Sequence, residues 1–263
     1  MPPRRNRRST AKRNVYLQRF AVLLLVLVVG TMGWLFWFWR GEERAEMVRY
    51  PEFGIPMPTN YGIHGIDVSR YQSKISWEAV QAMEIDGIRL GFVFIKATEG
   101  VSSVDPQFKR NWTKSRDAGM IRGAYHFFLP QRSGRVQAEH FKKTVPLESG
   151  DLPPVVDIES RGNVKPEVLR RELQAWLDNI EKYYGVRPVI YTYLDFYKKN
   201  LAGHFDDYPL WVAHYLQPGQ PRIERPWSFW QHSESGRVDG ITSRVDFNVF
   251  SGDSLAFRAL LVP

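Results

Sequence analysis

The stretch PPVVDIES, residues 153–160, carries an apolar run directly into two carboxylates, Asp157 and Glu159. In an extended strand residues i and i+2 share a face, with Cα atoms roughly 6–7 Å apart, so these two acids point the same way. Two carboxylates in one partly buried position cannot both ionise cheaply, and one of them keeps a proton near neutral pH. A held proton beside a fixed negative charge is the equipment for cleaving a glycosidic bond. Two further acids stand in comparable places: Asp67 ends the apolar GIDVS and Asp246 lies in RVDFNVF. Tyr125, Tyr191, Trp230 and Gln231, in or beside candidate strands, are expected to bind substrate, with Tyr125 and Trp230 as a stacking floor for sugar rings.

These residues need a scaffold that brings distant strand ends together. After Asn60 the chain alternates short apolar strands with amphipathic helices: strands at 62–69, 90–98, 121–128, 153–159 and 187–193, and a helix in which Leu169, Leu173, Trp176, Leu177, Ile180 and Tyr184 share one face between Pro166 and Gly185. Three more strands, at 210–215, 227–232 and 245–250, are joined by Gly-, Pro- and Ser-rich connectors without a helical stripe. The pattern predicts an α/β fold, an irregular TIM-like barrel that loses outer helices toward its C-terminal end. A parallel crossover usually carries a helix, so the last strand is expected to run antiparallel, bringing Asp246 to the rim where the other acids lie.

The front of the chain is different in kind. Residues 1–19 hold seven Lys/Arg and no acid, which leaves about +1 of the net +8 for everything else, so the high pI belongs to the tail and gives little support to nucleic-acid binding. Residues 20–39 carry no charge, enough helix to cross roughly 30 Å of hydrocarbon. A cleaved signal peptide is the rival reading, but WFWRGEERA lacks the small residues of a cleavage site. The expected organisation is a basic cytoplasmic tail (1–19), a transmembrane helix contacting membrane lipid (20–39), a linker (40–60) and a barrel domain (61–263) outside a bacterial cell membrane, on its periplasmic or wall side. The absence of cysteine excludes disulfides and thiolate chemistry.

The motifs resemble those of the glycoside hydrolase family 25 lysozymes, which are N-acetylmuramidases. GIDVSRYQSKISW (65–77), FVFIKATEG, GAYHF, PPVVDIE, PVIYT, LWVAHY and WSFWQHSESGRVDGITSRVDFNVF carry the likeness over about residues 61–251, in order. The resemblance implies Glu159 as general acid, with Asp157, Asp67 and Asp246 lining the cleaved site, no cofactor or metal, and peptidoglycan glycan strands as partner. His232 departs from the family, which more often has Tyr there, and is expected to touch subsite lining. Two other readings compete. One is a metal-dependent phosphodiesterase with Asp67, His126, Asp157, Glu159 and Asp246 as ligands. The other is a membrane-tethered wall-binding protein without catalysis.

Overall fold

A computed structural model describes residues 8–39 and 46–263 of the chain, with side chains at 19–34 and from 46 onward. The chain divides into two compact units, one ending at Glu43 and one beginning at Arg44. In the first, α1 (Arg8–Trp39) is a 32-residue helix whose described side chains are all exposed. No helix among the described residues is long and apolar enough to cross a membrane; of the uncharged run 20–39, side chains are described only as far as Trp34. The start of the expected basic tail, residues 1–7, and the first part of the expected linker, 40–45, lie outside the described residues.

The second unit starts earlier than the composition implied. Met47–Tyr50 (β1) and Ile55–Pro58 (β2) pair as an antiparallel hairpin, and Phe53, Ile55 and Met57 are 0, 3 and 0% exposed in the main hydrophobic core. The expected linker over this stretch is therefore corrected. Its Pro and Gly residues serve a tight turn, with Gly54 at φ 70°, and a short strand pair in which proline is tolerated.

Eight strands close the barrel: β3 (His64–Val68), β4 (Ile88–Glu99), β5 (Ile121–Phe127), β6 (Val155–Asp157), β7 (Val189–Tyr193), β8 (Leu210–Ala213), β9 (Phe229–Val238) and β10 (Ile241–Phe250). Neighbours from β3 through β9 are parallel. The last strand, β10, runs antiparallel between β9 and β3, as expected, and is joined to β9 by a tight turn at 239–240. The helix-free connector 214–228 nevertheless joins a parallel pair, β8 and β9, so the absence of a helix did not by itself set strand direction. Helices α2 (Trp77–Ala82), α3 (Phe108–Asp117), α4 (Gly134–Thr144) and α5 (Pro166–Tyr184) follow the first four strands. The stub α6 (Leu194–Phe196) runs into a π-helical turn, and residues 214–228 contain no helix at all. In α5 the predicted face is fully buried from Leu169 to Ile180 and half-buried at Tyr184, and Gly185 caps the helix at φ 71°.

Strand alternation sorts the barrel into two cores. Phe92, Phe94, Val155, Val189, Tyr191, Trp211, Phe229 and Phe250 fill the interior, closed below by Phe257 of α7 (Ser254–Leu260). The intervening residues, among them Ile66, Val93, Ala124, Val156, Ile190 and Val212, pack outward against the helices and the N-terminal hairpin. Glycine makes room for the interior rings: a Cβ on Gly65 would stand 2.6 Å from Phe92 and one on Gly123 2.7 Å from Phe94. The resulting aromatic layers form a rigid floor, with Phe94 stacked on Trp211 at 4.4 Å.

Candidate active site

On three strands the interior parity reaches a carboxylate at the upper rim: Asp67 after Gly65, Asp157 after Val155, and Asp246 before Asn248 on the reversed strand. Asp67 and Asp246 are direct cross-strand partners, so the antiparallel closure brings them together. Asp67 and Asp157 are 6 and 7% exposed; Asp246 and Glu159 are half-buried. Asp67, Asp157 and Asp246 line a cavity of about 230 Å³ with Lys96, Tyr125, Tyr71 and Gln72. Glu159 lines a second cavity of about 550 Å³ with Tyr191, Tyr193, Asp195, His214, Tyr215 and Glu234. The short run from Asp157 to Glu159 thus links the two concavities.

The hydrogen bonds fix which carboxylate is an acceptor. The Trp211 indole, a donor only, gives its Nε1–H to Asn248 Oδ1 at 2.7 Å, which turns the Asn248 amide nitrogen to Asp67 Oδ2 at 2.8 Å. The Tyr191 and Tyr215 hydroxyls donate to Gln231 Oε1 at 2.8 and 2.6 Å, which turns Gln231 Nε2 to the same Asp67 oxygen at 2.7 Å. Burial raises the Asp67 pKa, and these donors oppose the rise. Asp246 is pushed up to about 9, first by burial, then by the Asp67 charge and by its hydrogen bond to Asp67. Asp246 therefore holds the proton of this pair and Asp67 the charge.

The other pair is built differently. Asp157 Oδ1 is buried with no hydrogen-bond partner in the protein. Its pKa is raised well above the ordinary value by burial and then by Glu159, with Lys96 acting against the rise. Glu159 is raised by burial, opposed by a hydrogen bond from Tyr191 and raised again by the Asp67 charge. Tyr191 has one proton and two acceptors, Gln231 and Glu159. Because Tyr215 also serves Gln231, Tyr191 can turn to Glu159 when that carboxyl ionises without leaving the amide oxygen unpaired.

The four acids, Tyr125, Tyr191 and Gln231 meet at this rim. Gln231 is buried beneath it, so its contact is with Asp67. Trp230 does not join them: it is 0% exposed on the outer face of β9, donates to His214 O at 3.0 Å and packs against Tyr61 and Trp227. His126 also faces outward, bonded to Thr98 and Gln137 and stacked on Trp176. His232, expected at a subsite, lies instead against Trp230 and Phe247, buried outside the barrel. Among the described residues no group of three or more His, Cys, Asp or Glu is placed to hold a metal ion. Lys96, Asn248 and Glu234 do not stand out in the sequence; Asn248 shares strand parity with Asp246, which is the signal that would have found it.

Comparison with known proteins agrees with this geometry. Residues 66–241 match the profile of the Glycosyl hydrolases family 25. The chain is 52% identical over 200 residues to the uncharacterized protein YegX of Escherichia coli (strain K12), covering 76% of this chain and 74% of that protein. It is 36% identical over 214 residues to Lysozyme M1 of Streptomyces globisporus, covering 76% and 71%. The structure of a family 25 glycosyl hydrolase from Bacillus anthracis superposes with a TM-score of 0.71 at 31% identity, covering 83% of this chain and 99% of that one. Matched in sequence over most of its barrel and in fold to solved members, the chain belongs to glycosyl hydrolase family 25.

Proposed function

We propose that this glycosidase cleaves the β-1,4 bond between N-acetylmuramic acid and N-acetylglucosamine in peptidoglycan, with Glu159 as general acid and the sugar's own 2-acetamido group as nucleophile. The observation that carries the reading is Asp157 Oδ1, a buried acceptor with no partner beside a half-buried acid on the same strand end. An unpaired buried acceptor costs about 1–3 kcal/mol. An acetamido N–H supplies the missing donor.

In the first step the acetamido oxygen attacks the anomeric carbon as the glycosidic C–O bond breaks, and Glu159 gives its proton to the leaving oxygen. Asp157 accepts the acetamido N–H and stabilises the positive charge of the oxazolinium ring. Burial is the largest barrier to ionising Asp157, and the acetamido N–H offsets it by supplying a donor; while Glu159 holds its proton it no longer adds to that barrier, and Lys96 favours the charged form. In the second step water attacks the same carbon, Glu159 takes its proton, and the ring opens to a reducing N-acetylmuramic acid end. Tyr191 steadies the ionised Glu159 between the steps, and Asp67 contributes fixed negative charge near the developing cation. Digestion of purified peptidoglycan by the detergent-solubilised full chain, with new ends identified by reduction and mass spectrometry, tests the reading. Muramic acid ends are expected; N-acetylglucosamine ends alone would overturn it.

We propose further that α1 anchors the enzyme in a bacterial cell membrane with its N-terminus in the cytoplasm and the barrel outside, confining cleavage to nearby wall. The uncharged run 20–39 and the seven basic residues before it support this. Membranes washed in alkaline carbonate are expected to retain the full chain, and its recovery in the supernatant would refute the anchor.

A further inference from the structure

The two cavities of the cleft are lined by acids: Asp67, Asp157 and Asp246 in one, Glu159, Asp195 and Glu234 in the other. Beside them lies a concavity of opposite sign. Arg49, Arg237 and Arg244, with Pro51, Gly54 and Ser235, line a cavity of about 410 Å³ that contains no acid. None of the three arginines has a carboxylate within ion-pair distance among the described residues.

The cavity is made by tertiary structure. Arg49 comes from β1, and the hairpin is fastened to β9 where Arg237 N donates to Phe53 O at 2.9 Å. Gly54 has φ +70°, and a Cβ there would stand 3.5 Å from the Arg237 side chain, so the turn accommodates that arginine closely. The cavity is also continuous with the cleft along the chain. Arg244 precedes Asp246 by two residues on β10, and its carbonyl accepts from Gln72 Nε2, a residue of the catalytic cavity, at 2.9 Å. Ser235 adjoins Glu234, which lines the second cleft cavity.

We propose that Arg49, Arg237 and Arg244 bind the carboxylates of the peptide stems carried by muramic acid, so that the enzyme prefers peptide-bearing glycan to bare glycan. The inference rests on the muramidase reading and adds to it a specificity site. A sugar backbone can lie in the cleft, where the acids outnumber the single cation Lys96, while an anionic substituent finds a cluster of cations without acids only at the arginine cavity. Guanidinium groups suit this task because their donors match carboxylate oxygens in pairs.

The test uses the full chain in detergent, as wild type and as the combined Arg49→Gln, Arg237→Gln, Arg244→Gln variant, on peptidoglycan and on the same glycan stripped of stems by an amidase, with the lactyl carboxyls this frees capped as methyl amides so that the control carries no anion. For the variant, KM on peptide-bearing glycan is expected to rise about tenfold with kcat unchanged, with no change on stripped glycan, and the difference is expected to shrink in high salt. An Arg→Lys version of the three should recover part of the loss. Equal losses on both glycans, or none on either, would overturn the proposal. So would loss of binding to glycerol phosphate at unchanged KM, which assigns the arginines to lipid phosphate. Binding of a disaccharide-peptide and of the bare disaccharide is measured in parallel. If the wild type cleaves neither glycan the muramidase reading fails, while preference for the disaccharide-peptide, lost in the variant, would still sustain the arginine site.

Discussion

Two carboxylate pairs share one barrel rim, and they are built on opposite plans. Asp67 and Asp246 face each other across an antiparallel strand pair, and Asp67 is held by two amides whose own oxygens are locked by Trp211, Tyr191 and Tyr215. Asp157 and Glu159 leave a single strand end, and Asp157 keeps a buried oxygen without a partner. A saturated pair has its charge and proton assigned before substrate arrives. An unsaturated pair can still exchange both. On the proposed mechanism this difference matches a division in which Asp157 and Glu159 carry the chemistry and Asp67 and Asp246 supply a fixed electrostatic setting.

Removing the proton donor tests that division most severely. Glu159→Gln is expected to lower kcat about 1,000-fold with glycan binding retained, measured by reducing-end release and by pelleting with peptidoglycan. Asp157→Asn should cost about 100-fold in kcat, because the neutral amide cannot balance the oxazolinium charge. A larger loss from Asp246→Asn than from either substitution would reverse the assignment of the two pairs.

The saturated pair should show itself in stability. Gln231→Leu leaves two tyrosine hydroxyls and one Asp67 hydrogen bond without partners and should cost about 2–4 kcal/mol, read from denaturant unfolding. Asp246→Asn should act in the other direction. In the fold Asp246 holds its proton up to about pH 9, whereas its ordinary pKa is 3.8, so unfolding releases a proton between those values. Its contribution to stability therefore falls as pH rises through that window. The Asn variant escapes this loss, and its Tm advantage should grow from pH 4 toward pH 9, reaching about 5 °C at neutrality. The smallest effect is expected from Trp230→Phe, which loses one hydrogen bond to His214 O outside the cleft and should leave KM within about twofold. A KM rise of tenfold would return Trp230 to the sugar-binding surface.

Trp230 also marks the limit of sequence reading. Residues 230 and 231 are neighbours on one strand and must face opposite sides, so they could not both reach the site, and composition favoured the aromatic ring for stacking. Parity anchored on Asp246 and Asn248 selects Gln231 instead, but only once β9 and β10 are known to pair in the observed register. The hairpin at 47–58 was missed for a related reason. Its Pro and Gly content is shared by linkers and turns, and only burial of Phe53 and Met57 distinguishes them.

By itself the sequence determined the alternation of strands and helices, the loss of outer helices toward the end and the reversed last strand. These follow from periodicities of 2 and 3.6 residues and from connector composition, which are local properties. The shared direction expected of Asp157 and Glu159 is not among them, because the strand stops at Asp157 and the two acids of that run line different cavities. Tertiary structure alone decided that Asp67 and Asp246 touch, that Trp211 and two tyrosines orient the amides holding Asp67, and that three arginines from two hairpins line one cavity. Each depends on register and closure between residues distant in the chain, where a shift of one position would turn every side chain to the other face.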